Sequence, residues 1–261
     1  MPITAIIFDM DETLVVDDAA TDEAILATCE QAAPKYGVAA GALARAVLRQ
    51  ARELWRASPV HGYGSALGIS SREVLWGRFL GDDSNLTALR AWMAGFRMQA
   101  WSKALISLSV AKPTGIEEWV ERFPQERRVR HRVFPDAEPC LKELKQRYRL
   151  ALLSNGAADL QREKLEASGL TGYFEAVVIS GEVGIGKPDP AIFRLAAEQV
   201  GATPATAVMV GDSLQRDVVG AQRAGMRAVW LNRDGAPMPE GVHPDAAVRG
   251  LGELAGVVEQ W

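Results

Sequence analysis

Apolar and polar positions follow two different rhythms along this chain. After about residue 132, short runs rich in Val, Ile and Leu recur between longer amphipathic stretches: RLALLS at 149–154, EAVVIS at 175–180, TAVMVGD at 206–212 and RAVWLN at 227–232. Runs of this length and β-branched content predict strands. The stretches between them, opening near Glu138, Ala157, Asp189 and Ser213, predict helices, so the order is that of βαβ units. Several runs are apolar at consecutive rather than alternate positions, as expected where helices cover both faces of a parallel sheet with right-handed crossovers. Ile3 to Phe8 has the same character but lies far upstream. A structureless connection of that length is out of keeping with a compact domain, so the intervening segment must fold by itself.

That segment has helical periodicity. AILATCEQAAPKYG, GALARAVLRQARELWR, SREVLWGRFLG and NLTALRAWMAGFRMQAWSKAL carry apolar residues at i, i+3, i+4 spacing, and the Gly- and Pro-bearing stretches SPVHGYGSALGIS and KPTGIEE separate them. Trp55, Trp76, Trp92, Trp101 and Trp119 fall here and are expected to pack between helices. The expected architecture is α/β: a Rossmann-like, doubly wound parallel sheet core formed by residues 1–15 and 132–261, with an all-helical domain, residues 16–131, inserted after the first strand.

Composition narrows the function. With 261 residues, 48% hydrophobic and 24% charged, the chain is long enough for a sizeable core without disulfide staples. A net charge of -4 gives no electrostatic case for nucleic acid, which leaves a small molecule as the default partner. Cys29 and Cys140 are far apart and outside any CxxC spacing, so they are expected to be reduced core residues rather than zinc ligands. MPITAIIFDMDET shows no basic leader or cleavage site, and no apolar stretch approaches the roughly 18 residues of a membrane span, so the expectation is a cytoplasmic protein without membrane contact. Monomer and homodimer are both open.

The chemistry is concentrated where the strands end. In FDMDETL, Asp9 and Asp11 flank Met10, and alternate side chains of an extended chain share a face; two anions so placed call for a positive partner. FDMDET, LLSNG, GKPDP and VGDSLQRD, in this order and each after a predicted strand or loop, resemble the four motifs of the haloacid dehalogenase-like hydrolase superfamily. The resemblance spans the core, while the inserted segment matches in position and helical character. DETL, LSNGAADLQREKLEASGLTGYFEAVV and GDSLQRDVVGAQRAGM are most similar to members with helical caps such as N-acylneuraminate-9-phosphatases and pyrimidine 5'-nucleotidases.

What the resemblance implies is a phosphatase acting on a small phosphorylated metabolite, a sugar phosphate or a nucleoside monophosphate, through an aspartyl-phosphate intermediate. Asp9 would be the nucleophile, a carboxylate already ionised at neutral pH. Asp11 would protonate the leaving alkoxide and then deprotonate the attacking water, and its backbone carbonyl would reach the metal. Thr13 would orient Asp11 or end the strand. Asp9 and Asp212 would ligate Mg²⁺ directly, with Asp217 ligating it or holding its coordination shell; Mg²⁺ selects hard oxygen ligands, and the absence of nearby His or Cys argues against zinc. Ser154, Asn155 and Gly156 would grip the phosphate beside a helix N-terminus, and Lys187 would neutralise charge on nucleophile and phosphoryl group. The inserted domain would be a mobile cap hinged near Leu14 to Asp18 and Arg130 to Pro135, with His61 and Tyr63 as candidate substrate contacts against the plainer reading of VHGYGS as a glycine-loosened surface loop. Dehalogenases and phosphonate-cleaving members lack an acid at the Asp11 position. A phosphosugar mutase keeps it and stays open, as does a non-catalytic binding or regulatory protein retaining the fold.

Overall fold

The structure, a computed structural model, describes residues 1–261. The chain divides into two compact units, Met1–Val16 with Arg132–Trp261, and Asp17–His131.

The first unit is a six-stranded, all-parallel sheet in the order β3-β2-β1-β4-β5-β6. Its strands are β1 (Ala5–Phe8), β2 (Arg149–Ser154), β3 (Ala176–Ile179), β4 (Ala207–Gly211), β5 (Arg227–Leu231) and β6 (Ala246–Val248). β1, the segment separated from the rest in sequence, is central: Ile7 pairs with Ala151 on one side and Met209 on the other. The strand order reverses there, which in open parallel sheets is where ligands bind, outside the carboxyl ends. Consecutive residues of β1 are buried because each face has its own core. Ile6 and Phe8 pack with Leu150, Leu152, Val208 and Val210, whereas Ala5 and Ile7 pack with Leu153, Phe193 and Met209. The two passages of chain at the edge of this unit run side by side, with Val16 N–H donating to the Arg132 carbonyl and Phe134 N–H to that of Leu14, each at 2.9 Å.

The strands are one or two residues shorter than their apolar runs at β3, β4 and β5, and β6 carries no run of its own: AAV is too short to register as a period. The helices of this unit run α7 (Ala137–Leu144), α8 (Ala158–Ser168), α9 (Ser180–Val183), α10 (Pro190–Gln199), α11 (Val219–Ala224) and α12 (Leu254–Val258).

The second unit is helical throughout: α1 (Asp18–Tyr36), α2 (Ala40–Arg56), α3 (His61–Ala66), α4 (Ser71–Val74), α5 (Ser84–Ser107) and α6 (Glu117–Arg128). Trp55, Trp76, Trp101 and Trp119 are buried in it. Three local expectations need correction. SREVLWGRFLG is helical only at Ser71–Val74; Phe79 lies at φ 54° and Gly81 at φ 134°, and the freed carbonyls are taken by arginines of α5, Arg97 bonding Val74 O and Gly77 O, Arg90 bonding Phe79 O and Gly81 O. VHGYGS is not a loop, since His61–Ala66 forms a helix pressed on Trp55, and a Cβ at Gly64 would overlap that indole ring. Glu117–Arg128 is a further helix beyond those expected: Ile116, Trp119, Val120 and Phe123 carry its i, i+3, i+4, i+7 spacing, and Arg127 is buried on it as well. No helix of the protein is long and apolar enough to cross a membrane.

Candidate active site

Three carboxylates meet just beyond the carboxyl ends of the two central strands. Asp9 follows β1 and Asp212 follows β4, while Asp217 arrives on a π-helical turn, Leu214–Val218, that leads into α11. A π-turn inserted at a helix start is a frequent device for aiming a functional side chain. One carboxylate oxygen from each of the three lies within 4.8 Å of the others. Gly211 makes room for this: a Cβ there would overlap the Asp217 carboxylate. Asp217 is fully buried, and its Oδ2 accepts the Ser213 N–H at 2.9 Å. The Trp230 indole N–H holds the Asp212 carbonyl at 2.9 Å.

Lys187 enters from the segment before α10. Its Nζ lies 2.6 Å from Asp9 Oδ1 and 2.7 Å from Asp217 Oδ1. Asn155, the residue after β2, fixes it in place by bonding both sides of its main chain: Lys187 N–H donates to Asn155 Oδ1 at 2.8 Å, and Asn155 Nδ2 donates to Lys187 O at 2.9 Å.

The charges do not balance. Burial and then the neighbouring Asp217 carboxylate raise the Asp9 carboxyl well above its ordinary range, with Lys187 only partly offsetting them. Burial and Asp217 push Asp212 up to about 7, with Glu12 adding to the repulsion. Lys187 moves the other way from what burial alone would do, because Asp217 and Asp9 hold it protonated. Three carboxylates, those of Asp9 and Asp217 buried and that of Asp212 partly so, against one ammonium leave an excess of negative charge, and the donor set is oxygen only. That combination fits a hard divalent cation such as Mg²⁺ and does not suit zinc.

Two expectations about the first motif fail. Asp11 does not share the volume of Asp9: β1 ends at Phe8, the backbone turns through Glu12 at φ 57°, and the Asp11 side chain is absent from the carboxylate group. Alternation ended with the strand that imposed it. Asp11 is instead held by α8, with Lys164 Nζ at 3.1 and 3.0 Å from its two oxygens and Gln161 Nε2 at 3.0 Å from Oδ2. Of the two roles expected of Thr13, orienting Asp11 has no hydrogen bond behind it, since the buried Oγ1 has no partner, while its N–H donates to the Met10 carbonyl in the turn after β1; the Thr13 carbonyl is taken by Arg233, which also grips Asp136 with two bonds of 2.9 Å.

The phosphate grip also differs in detail. Ser154 is buried, and its hydroxyl has only a marginal 3.5 Å contact with the Asn155 carbonyl. The Gly156 N–H is engaged by Ser180 Oγ at 2.9 Å, and the Asn155 side chain is bonded to both sides of the Lys187 main chain. In the helical unit, the His61 ring meets Trp55 edge-on at 5.5 Å, and Trp55, Trp92 and Phe96 extend the cluster. Tyr63 is half-buried on the same short helix.

Gln161 and Lys164 were not legible as site residues, yet a signal exists. In ADLQREKLEAS the apolar Leu160 and Leu165 mark the buried face, and positions 161 and 164 fall on that stripe although both are polar. Both are almost wholly buried. A polar pair where periodicity demands apolar residues implies a buried partner.

The chain matches the family of haloacid dehalogenase-like hydrolases over residues 3–225, and it belongs to that family. Among curated relatives, it is 43% identical to a phosphoserine phosphatase of Thermus thermophilus, over 95% of this chain and 96% of that protein. It is 38% identical to the N-acylneuraminate-9-phosphatase of Mus musculus, over 51% of this chain and 54% of the relative. Among solved structures, a 2-haloacid dehalogenase from Pseudomonas syringae superposes with a TM-score of 0.62 at 26% identity, covering 99% of both chains.

Proposed function

We propose that this chain hydrolyses a small phosphate monoester through an aspartyl-phosphate formed on Asp9, with Mg²⁺ held by Asp9, Asp212 and Asp217 and by the backbone carbonyl of Asp11. The class of reaction, phosphoric monoester hydrolysis on small phosphorylated molecules, follows from the family and from the phosphatases among its relatives. The observation that carries the mechanism is the group of three carboxylates, Asp9, Asp212 and Asp217, beyond the ends of β1 and β4, two of which, Asp9 and Asp217, pair with Lys187.

Asp9 attacks phosphorus, and the ester P–O bond breaks as Asp11 passes a proton to the departing alkoxide. Asp11 then takes a proton from the water that attacks the phosphoryl group, releasing inorganic phosphate and restoring the Asp9 carboxylate. Lys187, pinned by Asn155, holds the Asp9 carboxylate in place and offsets the charge of the transferring group. Ser154, whose hydroxyl lacks a strong partner, is the side chain best able to meet a phosphoryl oxygen. When bound, Mg²⁺ supplies further neutralisation of the phosphoryl oxygens. The Asp17–His131 unit would act as the cap that selects the leaving group, with His61 and Tyr63 as candidate contacts.

For the substrate, O-phosphoserine is the first compound to test, because the phosphoserine phosphatase relative matches along nearly the whole chain whereas the N-acylneuraminate-9-phosphatase matches about half. The test is phosphate release from O-phosphoserine, sugar phosphates, nucleoside monophosphates and phosphoglycolate, with Mg²⁺ and then with EDTA. One ester is expected to dominate and chelation to stop turnover. Turnover unchanged by EDTA would reject the metal assignment, and no release from any ester would reject the phosphatase.

A further inference from the structure

Asp11 sits two residues from the nucleophile, yet its carboxylate takes no part in the charge cluster around Lys187. Two residues one turn apart on α8 hold it instead. Lys164, only 1% exposed, spans both oxygens at 3.1 and 3.0 Å, and Gln161, fully buried, donates to Oδ2 at 3.0 Å. The same Gln161 amide nitrogen also donates to the carbonyl of Asn155, the residue that pins Lys187. One side chain therefore ties the loop after β1 to the loop after β2.

An interior position on an amphipathic helix would ordinarily take Leu or Ala, and burying an ammonium requires a paired partner. The partner here is a carboxylate on a turn strained enough to place Glu12 at φ 57°. A carboxylate that moves a proton at a fixed point must not swing, and an acid left on a turn without lateral support has several rotamers open to it.

We propose that Gln161 and Lys164 are positioning residues that lock the Asp11 carboxylate where it meets the leaving-group oxygen. The inference rests on the phosphatase reading above and on Asp11 as its proton donor. It implies that the pair matters in proportion to how much the leaving group needs a proton. p-Nitrophenolate departs as a stable anion, whereas an alkoxide does not.

The experiment compares kcat/KM for p-nitrophenyl phosphate with kcat/KM for whichever alkyl phosphate of the panel the wild type turns over fastest, in Lys164→Met, Gln161→Leu and Lys164→Arg; kcat/KM reads only the steps through departure of the leaving group, so the later action of Asp11 on water, common to both esters, does not enter. Lys164→Met and Gln161→Leu keep the side-chain volume and remove the donors. The expected result is a loss of about 10- to 100-fold on the alkyl ester, the range of a misplaced general acid, with p-nitrophenyl phosphate falling by less than about threefold. Lys164→Arg, which retains charge and donors, is expected to restore most of the alkyl ester rate. If Lys164→Met does not fold, Gln161→Leu leaves the ion pair intact and reads the same ratio. An equal loss on both esters in a folded variant would mean that the pair only supports the fold and would overturn the inference. Unchanged or faster turnover of the alkyl ester would overturn it too. A wild type that hydrolyses neither ester would instead reject the phosphatase reading, and this inference with it.

Discussion

Lys187 and Arg127 are both buried cations, one in each unit, and their surroundings differ in a way that separates chemistry from architecture. Lys187 faces a surplus: Asp9 and Asp217 both touch it, and Asp212 stands beside them. Arg127 faces a balanced set. Its guanidinium pairs with Asp17 at 2.6 Å, donates to Thr21 Oγ1 at 3.0 Å and lies over the Trp76 ring at 4.9 Å. Asp17 even forgoes the capping bond its position at the start of α1 would allow. A pair whose charges cancel calls for no further ion, even though Arg127 Nη1 is left without a hydrogen-bond partner, whereas a group with surplus charge is held at the expense of stability and is kept for its ligand.

The largest effect that can break this contrast is expected from Asp9→Asn. It removes the nucleophile and one charge from a group whose ionised form burial and Asp217 disfavour. Turnover should fall by about 10⁴-fold or more while the melting temperature stays nearly unchanged or rises. A variant keeping a tenth of the activity, or one that melts far lower, would show the charge to be structural. Gly211→Ala should reach a similar loss by another route, since the new methyl group drives the Asp217 carboxylate away from Lys187; calorimetric titration with Mg²⁺ should show weakened binding.

Arg127→Met should do the reverse. Breaking a buried pair strands the remaining charge, so the helical unit should lose about 3–5 kcal/mol in denaturant unfolding. Adding Asp17→Asn to that background removes the stranded carboxylate, and about 1–2 kcal/mol of the loss should return. Additive losses would mean that the pair does not couple and that Arg127 acts through Thr21 and Trp76.

The uneven legibility of the two units has the same root. Parallel strands buried on both faces announce themselves as continuous apolar runs, so Asp9 and Asp212 can be placed at strand ends by register alone, whereas Lys187 and Asp217, which lie off the strands, are joined to them by the resemblance of the four motifs and not by spacing. Asp11 could not be placed that way, because its direction is decided by where β1 stops and by Lys164, which lies 153 positions away. In the helical unit, the broken stretch after Val74 depends on single polar contacts made by Arg90 and Arg97, and the ion pair of Arg127 with Asp17 joins residues 110 positions apart. A period-based reading sees faces and not individual partners.

The smallest signal should come from the thiols, and it sharpens the comparison unit by unit. Cys29 lies on α1 and Cys140 on α7, so each unit carries one buried, unpaired thiol. Burial, helped by Glu30 at Cys29 and by Asp136 and Glu143 at Cys140, pushes each to about 12. The thiolate is the reactive form and a raised pKa withdraws it, so at pH 8 only about 10⁻⁴ of each is ionised in the closed state. Labelling with a disulfide reagent should therefore be negligible in native protein and complete in denaturant, and its rate then reports opening of the unit that carries the thiol. Arg127→Met should speed modification of Cys29 and leave Cys140 slow, as read by mass spectrometry of the two peptides, while Asp9→Asn should alter neither. Equal acceleration at both cysteines in Arg127→Met would mean that the two units open together and that the stability supplied by Arg127 is not confined to its own half of the molecule.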